Sequence, residues 1–181
     1  MQGFRVNTTG SEEHHMAFDA FMQIQGIAGD STDDAHKEWI EIQQFNHDIR
    51  QATGGAASAQ GSHAGGRADH GDFQIVKRLD SSTPNLFMHC CSGRHIPEVV
   101  IEMCRALGEK TVFMKYTFKD VIIAAVSPSG STEGADLIPL ETVDMRYGEL
   151  HLEYTPTDPT GGGKTGASIQ AAWSTRQNKA L

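Results

Sequence analysis

No apolar run in this chain is long enough to cross a bilayer. A spanning helix needs about 20 predominantly apolar residues, and the best stretch here, Val121-Ile122-Ile123-Ala124-Ala125-Val126, has only the length of a strand. Met1 to Met16 contain no apolar h-region, so no Sec-type export signal is visible. Without a secretory route the Asn7-Thr8-Thr9 sequon means little. Cysteine is scarce. Cys90, Cys91 and Cys104 form an odd set with two adjacent members, a poor disulfide framework and one that fits a reducing cytoplasm. All three are expected to be small, buried, reduced residues. Basic charge is also short: 15 Lys and Arg face 23 Asp and Glu, for a formal net charge of -8. That balance argues against nucleic acid as the main partner, because phosphate binding needs a basic surface.

The usual chemical motifs fail on inspection. Gly161-Gly162-Gly163-Lys164-Thr165 has the ending of a phosphate-binding loop, but the motif needs a glycine five residues before its Gly-Lys pair. Asp158 stands there, followed by Pro159, and the pattern after the loop is that of a strand, not a helix. Nine histidines invite a metal, yet His14 and His15 lie near the N-terminus and His36, His47, His63 and His70 lie in or beside loops. They read as surface or loop histidines, without zinc-site spacing. Cys90 and Cys91 are not a Cys-x-x-Cys pair, and neighbours on a helix point about 100° apart. Ser31-Thr32-Asp33-Asp34 and His36 contain triad residue types, but triad members converge from separated positions, so this segment reads as a polar turn. Glu98 and Glu102 share the exposed face of a strand and need no catalytic explanation. No cofactor site and no enzyme activity are expected.

What is present is an ordinary globular composition, 38% hydrophobic and 21% charged over 181 residues, enough for one core. Residues 1–15 are polar and aperiodic and read as a leader or cloning remnant. Residues 16–181 read as a single domain. Within it, alternation marks strands: Phe18, Ala20, Met22 and Ile24, closed by Gly26; then Trp39 to Gln43; then Phe73, Ile75 and Leu79 within 72–79. Val99, Ile101 and Met103 mark another, followed by Val112, Met114, Tyr116 and Phe118. Leu150, Leu152 and Tyr154 precede a last strand at Ile169, Ala171 and Trp173. Many short strands separated by turn signals imply a sandwich or barrel. One helix interrupts them, roughly residues 84–92. Thr83 is its N-cap, Pro84 its first residue, Gly93 its stop, and Leu86, Phe87, Cys90 and Cys91 its apolar face. A long polar loop spans 46–70, and a second Gly-rich loop spans Thr157 to Gly166. A loop of the first kind inside a compact domain is either disordered or functional.

Three stretches together resemble the haemolysin-coregulated protein family of type VI secretion. The first is Gly29-Asp30-Ser31-Thr32-Asp33-Asp34-Ala35-His36-Lys37-Glu38-Trp39-Ile40-Glu41-Ile42. The second runs from Lys77-Arg78-Leu79-Asp80 through Pro84, Leu86-Phe87 and Cys90-Cys91 to Gly93. The third is the Trp173 strand ending in Arg176-Gln177-Asn178-Lys179. The resemblance implies a mainly β chain: a two-sheet β-barrel with a helix at its side. It implies six copies closing into a ring, rings stacking into a hollow tube, and effectors carried in the lumen. The implied partners are other copies of this chain, a spike at the tube tip, a contractile sheath and secreted effectors, with no nucleic acid and no membrane insertion. The tube would leave a bacterial cytoplasm for the outside without a signal peptide. The 46–70 loop matches the family's extended loop, which reaches the next ring, and His47, Asp48, Ile49, Arg50 and Gln51 are the residues expected to stack. A partner would order a loop too polar to pack within its own subunit.

Three departures stand out. The 1–15 segment is not a family feature. Asn46 to Ile49 lack the aromatic often found after the second strand. The chain stops soon after Trp173, so toxic activity would belong to cargo. Two other readings compete: a phage-like tail tube protein, and a monomeric β-barrel that binds a small ligand in an apolar pocket.

Overall fold

The computed structural model describes residues 18–53, 65–105, 110–132, 138–158 and 163–181. The expected leader at 1–15 lies outside them. Twelve strands and one helix follow in order: β1 (Phe18–Ile24), β2 (Ile40–Ile42), β3 (Gln44–Asn46), β4 (Ile49–Thr53), β5 (Gly65–His70), β6 (Phe73–Arg78), α1 (Thr83–Ser92), β7 (Ile96–Arg105), β8 (Val112–Ser129), β9 (Leu140–Arg146), β10 (Glu149–Tyr154), β11 (Ile169–Ser174) and β12 (Lys179–Ala180). Among the described residues no helix is long and apolar enough to cross a membrane.

The fold is mainly β, as the alternation predicts. One face of hydrogen-bonded strands runs β12-β11-β10-β8-β7-β1-β2, and a second runs β8-β9-β6-β3. Strand β8 belongs to both. Its first half pairs with β7 and β10, and its residues from Ile122 onward pair with β9. Asp120 sits at the change of sheet with φ 55, a left-handed turn inside a strand, and a bulge follows between Ile123 and Ala125. On the opposite side the chain crosses between sheets at Gln43, whose N–H donates to Val76 O (2.8 Å) between β2, paired to β1, and β3, paired to β6. The ladder is interrupted there, so the two sheets do not close into the two-sheet barrel expected, although the mainly β class holds. Between them lies the core of Met22, Ile40, Phe73, Ile75, Ile101, Phe118, Val143 and Met145.

Helix α1 begins and ends where its sequence signals lie. Pro84 occupies the first turn, and Gly93 caps the end in the left-handed region (φ 62). The N-cap is Ser82 rather than Thr83. Thr83 instead donates its hydroxyl to Glu141 Oε1 (2.6 Å), tying the helix to β9. The apolar face is narrower than its spacing predicts: Leu86 is buried, but Phe87 and Met88 are exposed. Cys90 is half-buried, Cys91 is exposed and only Cys104 is buried, so the expectation of three buried thiols holds for one.

Two core positions are charged, Lys77 and Glu141. Lys77, on the inward face of β6 with Phe73 and Ile75, is fully buried. Its ammonium donates to Glu141 Oε1 (2.7 Å), to Asp80 Oδ1 (2.7 Å) and to Arg78 O (2.8 Å). Buried charges persist when paired in this way.

Candidate functional site

Strands β4 and β5 form a two-stranded antiparallel ribbon separate from the ten-stranded sheet. Ile49 pairs with His70, Arg50 with Asp69, Gln51 with Ala68, and Thr53 with Gly65, with a register shift between Gln51 and Thr53. The segment expected to be a loop is thus partly a hairpin; residues 54–64 lie outside those described. An isolated ribbon is marginal in water, so its attachment matters. Gly71 N–H donates to Asp48 O (3.0 Å) across the base, and the Arg67 guanidinium donates to Thr175 O.

The base is also held by three rings. His47 Nε2 lies 2.8 Å and His70 Nδ1 lies 3.0 Å from the one hydroxyl of Tyr147, which follows β9. Tyr147 is buried, its ring 5.1 Å from that of Phe118 in the core. Burial pushes the Tyr147 phenol above its usual range, and the Asp72 carboxylate adds to this. Burial also pushes the His47 imidazole below its ordinary value, with His70 adding to the fall and Asp48 opposing it. The same cause lowers His70, where Asp69 opposes and Arg67 adds.

Of the five residues expected to stack, His47 is half-buried and turned to Tyr147, whereas Asp48, Ile49, Arg50 and Gln51 are exposed. Asp48 and Arg50 pair at 2.7 Å, both with solvent-exposed side chains. The structure therefore separates an anchoring residue from a displayed set. His70 and Tyr147 escaped the sequence reading as partners of this segment. Their signal is weak, since a histidine and a tyrosine far apart in sequence carry no spacing.

A second polar cluster corrects another expectation. Residues 29–39 form a strap over the outer face of β1 and β7. Gly29 is required there: a Cβ would sit 2.5 Å from Trp39 O and 2.8 Å from Ile40 Cα. The Ser31 to His36 turn is polar, as predicted, with Asp33 Oδ1 accepting from the backbone N–H of Ala35 and of His36. But His36 is no surface histidine, being only 2% exposed. Its ring stacks on Phe21 at 4.2 Å. Its Nδ1 lies 2.9 Å from Asp33 and its Nε2 lies 3.1 Å from Glu102. Glu102, expected on an open face, is largely covered and also pairs with Lys115 (3.0 Å). Lys110 first, and His36 next, hold Asp33 down to about 2. Cys104 Sγ is 3.9 Å from His36 Nε2, but burial, followed by Glu102, pushes its thiol up to about 11. A buried thiol so hard to ionise is a poor nucleophile, and the cluster acts as a clamp for the strap.

The ends of the Gly-rich loop likewise serve structure, while 159–162 lie outside the described residues. Thr157 bridges Lys164, and Asp158 N–H donates to Gly163 O (2.8 Å). The chain then enters strand β11, not the helix a phosphate-binding loop requires. Among the described residues no group of three His, Cys, Asp or Glu is placed to hold a metal ion.

Fold and site together describe a mainly β scaffold whose distinctive feature is a polar hairpin anchored at its base. The profile of the family described as "Type VI secretion system effector, Hcp" matches residues 21–154. The chain is 32% identical over 164 residues to the protein hcp1 of Pseudomonas aeruginosa, covering 90% of this chain and 98% of that one. The structure of Hcp1 from Salmonella typhimurium superposes with a TM-score of 0.74 at 34% identity, covering 92% of this chain and all of that one. A structure described as a type six secretion system protein gives 0.82 at 32% identity, with 91% and 100% covered. The chain belongs to the Hcp family, the tube proteins of the type VI secretion system.

Proposed function

We propose that this chain is a structural subunit that closes into six-membered rings, which stack into a hollow tube. The tube carries or chaperones effectors in its lumen and leaves the bacterial cytoplasm without a signal peptide, with a spike at its tip and a contractile sheath around it. The chain works by assembly rather than by catalysis. Membership of the Hcp family supports this reading. The observation that carries it is the hairpin: β4 and β5 pair with each other and, among the described residues, with no other strand. The ribbon displays Asp48, Ile49 and Arg50 to solvent. A second copy that docks on Asp48 to Gln51 supplies the burial such a ribbon lacks. Tyr154 and Ile169, cross-strand partners on β10 and β11, are 43% and 67% exposed and form an apolar pair suited to a lateral contact between subunits.

A head-to-tail contact whose rotation closes gives a ring, and stacked rings give a filament. The space between the sheets is filled by Met22, Phe73 and Phe118, which favours a scaffold over a barrel that holds a small ligand. Size-exclusion chromatography with light scattering tests the reading. A mass near six times 19.7 kDa, with a central hole in electron micrographs, is the expected result. A monomer at every concentration would overturn it.

A further inference from the structure

We infer that His47, His70 and Tyr147 form a pH-sensitive latch that holds the base of the β4–β5 hairpin in place at neutral pH and lets it go in mild acid. The geometry sets the proton requirement. A phenol has one proton to donate and an oxygen that accepts. With two imidazole nitrogens at 2.8 and 3.0 Å, Tyr147 satisfies both only if it donates to one ring and accepts an N–H from the other. The ring that accepts must be neutral. Once that nitrogen takes a proton, two N–H donors face a single phenol oxygen and the buried phenol proton has no acceptor between them. A second proton places two cations around one hydroxyl.

The surroundings do not rescue the charged form. Phe73 lies against His47 with ring centroids 5.2 Å apart, and Phe118 packs behind Tyr147. Facing the imidazoles are Asp48, which precedes β4 and is already paired with Arg50, and from β5 Asp69 and Arg67. Beside Tyr147, Asp72 accepts two bonds from Arg146, at 2.8 and 3.0 Å. The nearby carboxylates of Asp48 and Asp72 are thus engaged by arginines, and burial dominates the direction for both imidazoles. A base whose folded value is depressed is bound more tightly to its proton in the open state. The latch is therefore complete above the ordinary histidine value of about 6.5 and weakens as pH falls below it.

Hydrogen exchange on the full chain tests the latch directly. Exchange of the amides in 47–53 and 65–71, corrected for intrinsic chemistry, should rise about tenfold between about pH 7.5 and about pH 5.5, while β7 and β8 stay protected. In the His47→Gln/His70→Gln variant the step should vanish, with β7 and β8 protection reporting that the variant is folded. Equal hairpin protection at both pH values, or a step that persists in the variant, would overturn the latch. That acid should also loosen ring stacks rests on the assembly reading, and sedimentation of the same samples separates the two. A hairpin that opens while stacks persist overturns the stacking role of His47 to Gln51 and leaves the latch standing.

Discussion

At the residue scale the most consequential side chains are the charged ones in the interior. Lys77 and Glu141 are both fully inaccessible and 2.7 Å apart, each on an inward position of adjacent strands β6 and β9. Desolvating two such groups costs several kcal/mol each, and their attraction recovers that cost only with good geometry and further hydrogen bonds. Those bonds are present in part: Thr83 donates to Glu141 Oε1 and Asp80 accepts from Lys77, while the buried Glu141 Oε2 has no hydrogen-bond partner among the described residues. Removing only the cation strands Glu141 in the core. Lys77→Met should cost about 3–5 kcal/mol in urea denaturation, and Lys77→Met/Glu141→Leu should regain most of it. If the single variant unfolds at the wild-type midpoint, the pair is not what pins α1 to the sheets. No sequence pattern marks Lys77 as buried. In an alternating strand a lysine on the inner face reads as an interruption, and only its partner on the neighbouring strand explains it.

The elements show where periodicity suffices and where it does not. Helix α1 is legible at its stop, which depends on local backbone chemistry, since Gly93 adopts the left-handed conformation its position demands, and at its start to within one residue, Ser82 rather than Thr83 being the cap. Its sides are not legible. Helical spacing groups Leu86, Phe87, Cys90 and Cys91, but α1 rests on β8 along a stripe that reaches Leu86 and part of Cys90. Tertiary contact decides how wide an apolar face must be, and the difference can be read chemically. Alkylation of the native protein at about pH 8, followed by mass spectrometry, should label the exposed Cys91 fast and Cys104 only after denaturation, since the thiol is buried and thiolate is the reactive form. Labelling of Cys104 as fast as Cys91 would contradict the burial described. Strand β8 is a similar case. Val112 to Phe118 and Val121 to Val126 look like separate strands, because Asp120 breaks the alternation between them. In space they are one strand that turns from one sheet into the other through that left-handed residue.

For the whole molecule, the same distinction separates the body from the hairpin. The body is legible as β where a strand buries one face, as β1, β6 and β7 do, because burial imposes period two. Strand β9 lacks that contrast in sequence, because its buried row of Glu141, Val143 and Met145 starts with a carboxylate while Leu140 lies on the other face, and the ribbon lacks it because Arg50, Gln51 and Asp69 face water on a segment with no core to bury. The ribbon's energetic independence gives a final expectation. Thr53 and Gly65 are cross-strand partners, so replacing residues 54–64 by Asn-Gly closes a two-residue turn on the existing register. A shorter closed loop loses less chain entropy on folding, and the latch at His47, His70 and Tyr147 is untouched. The variant should therefore melt at or above the wild-type temperature and still form rings. If 54–64 extends the ring contact beyond Asp48 to Gln51, the variant's stacks should dissociate at protein concentrations where wild-type stacks persist in sedimentation. A lower melting temperature would mean that 54–64 supports the body of the subunit. Undiminished stacking would confine the contact between rings to Asp48 to Gln51, the exposed positions on which the proposed docking rests, and leave 54–64 without a share in it.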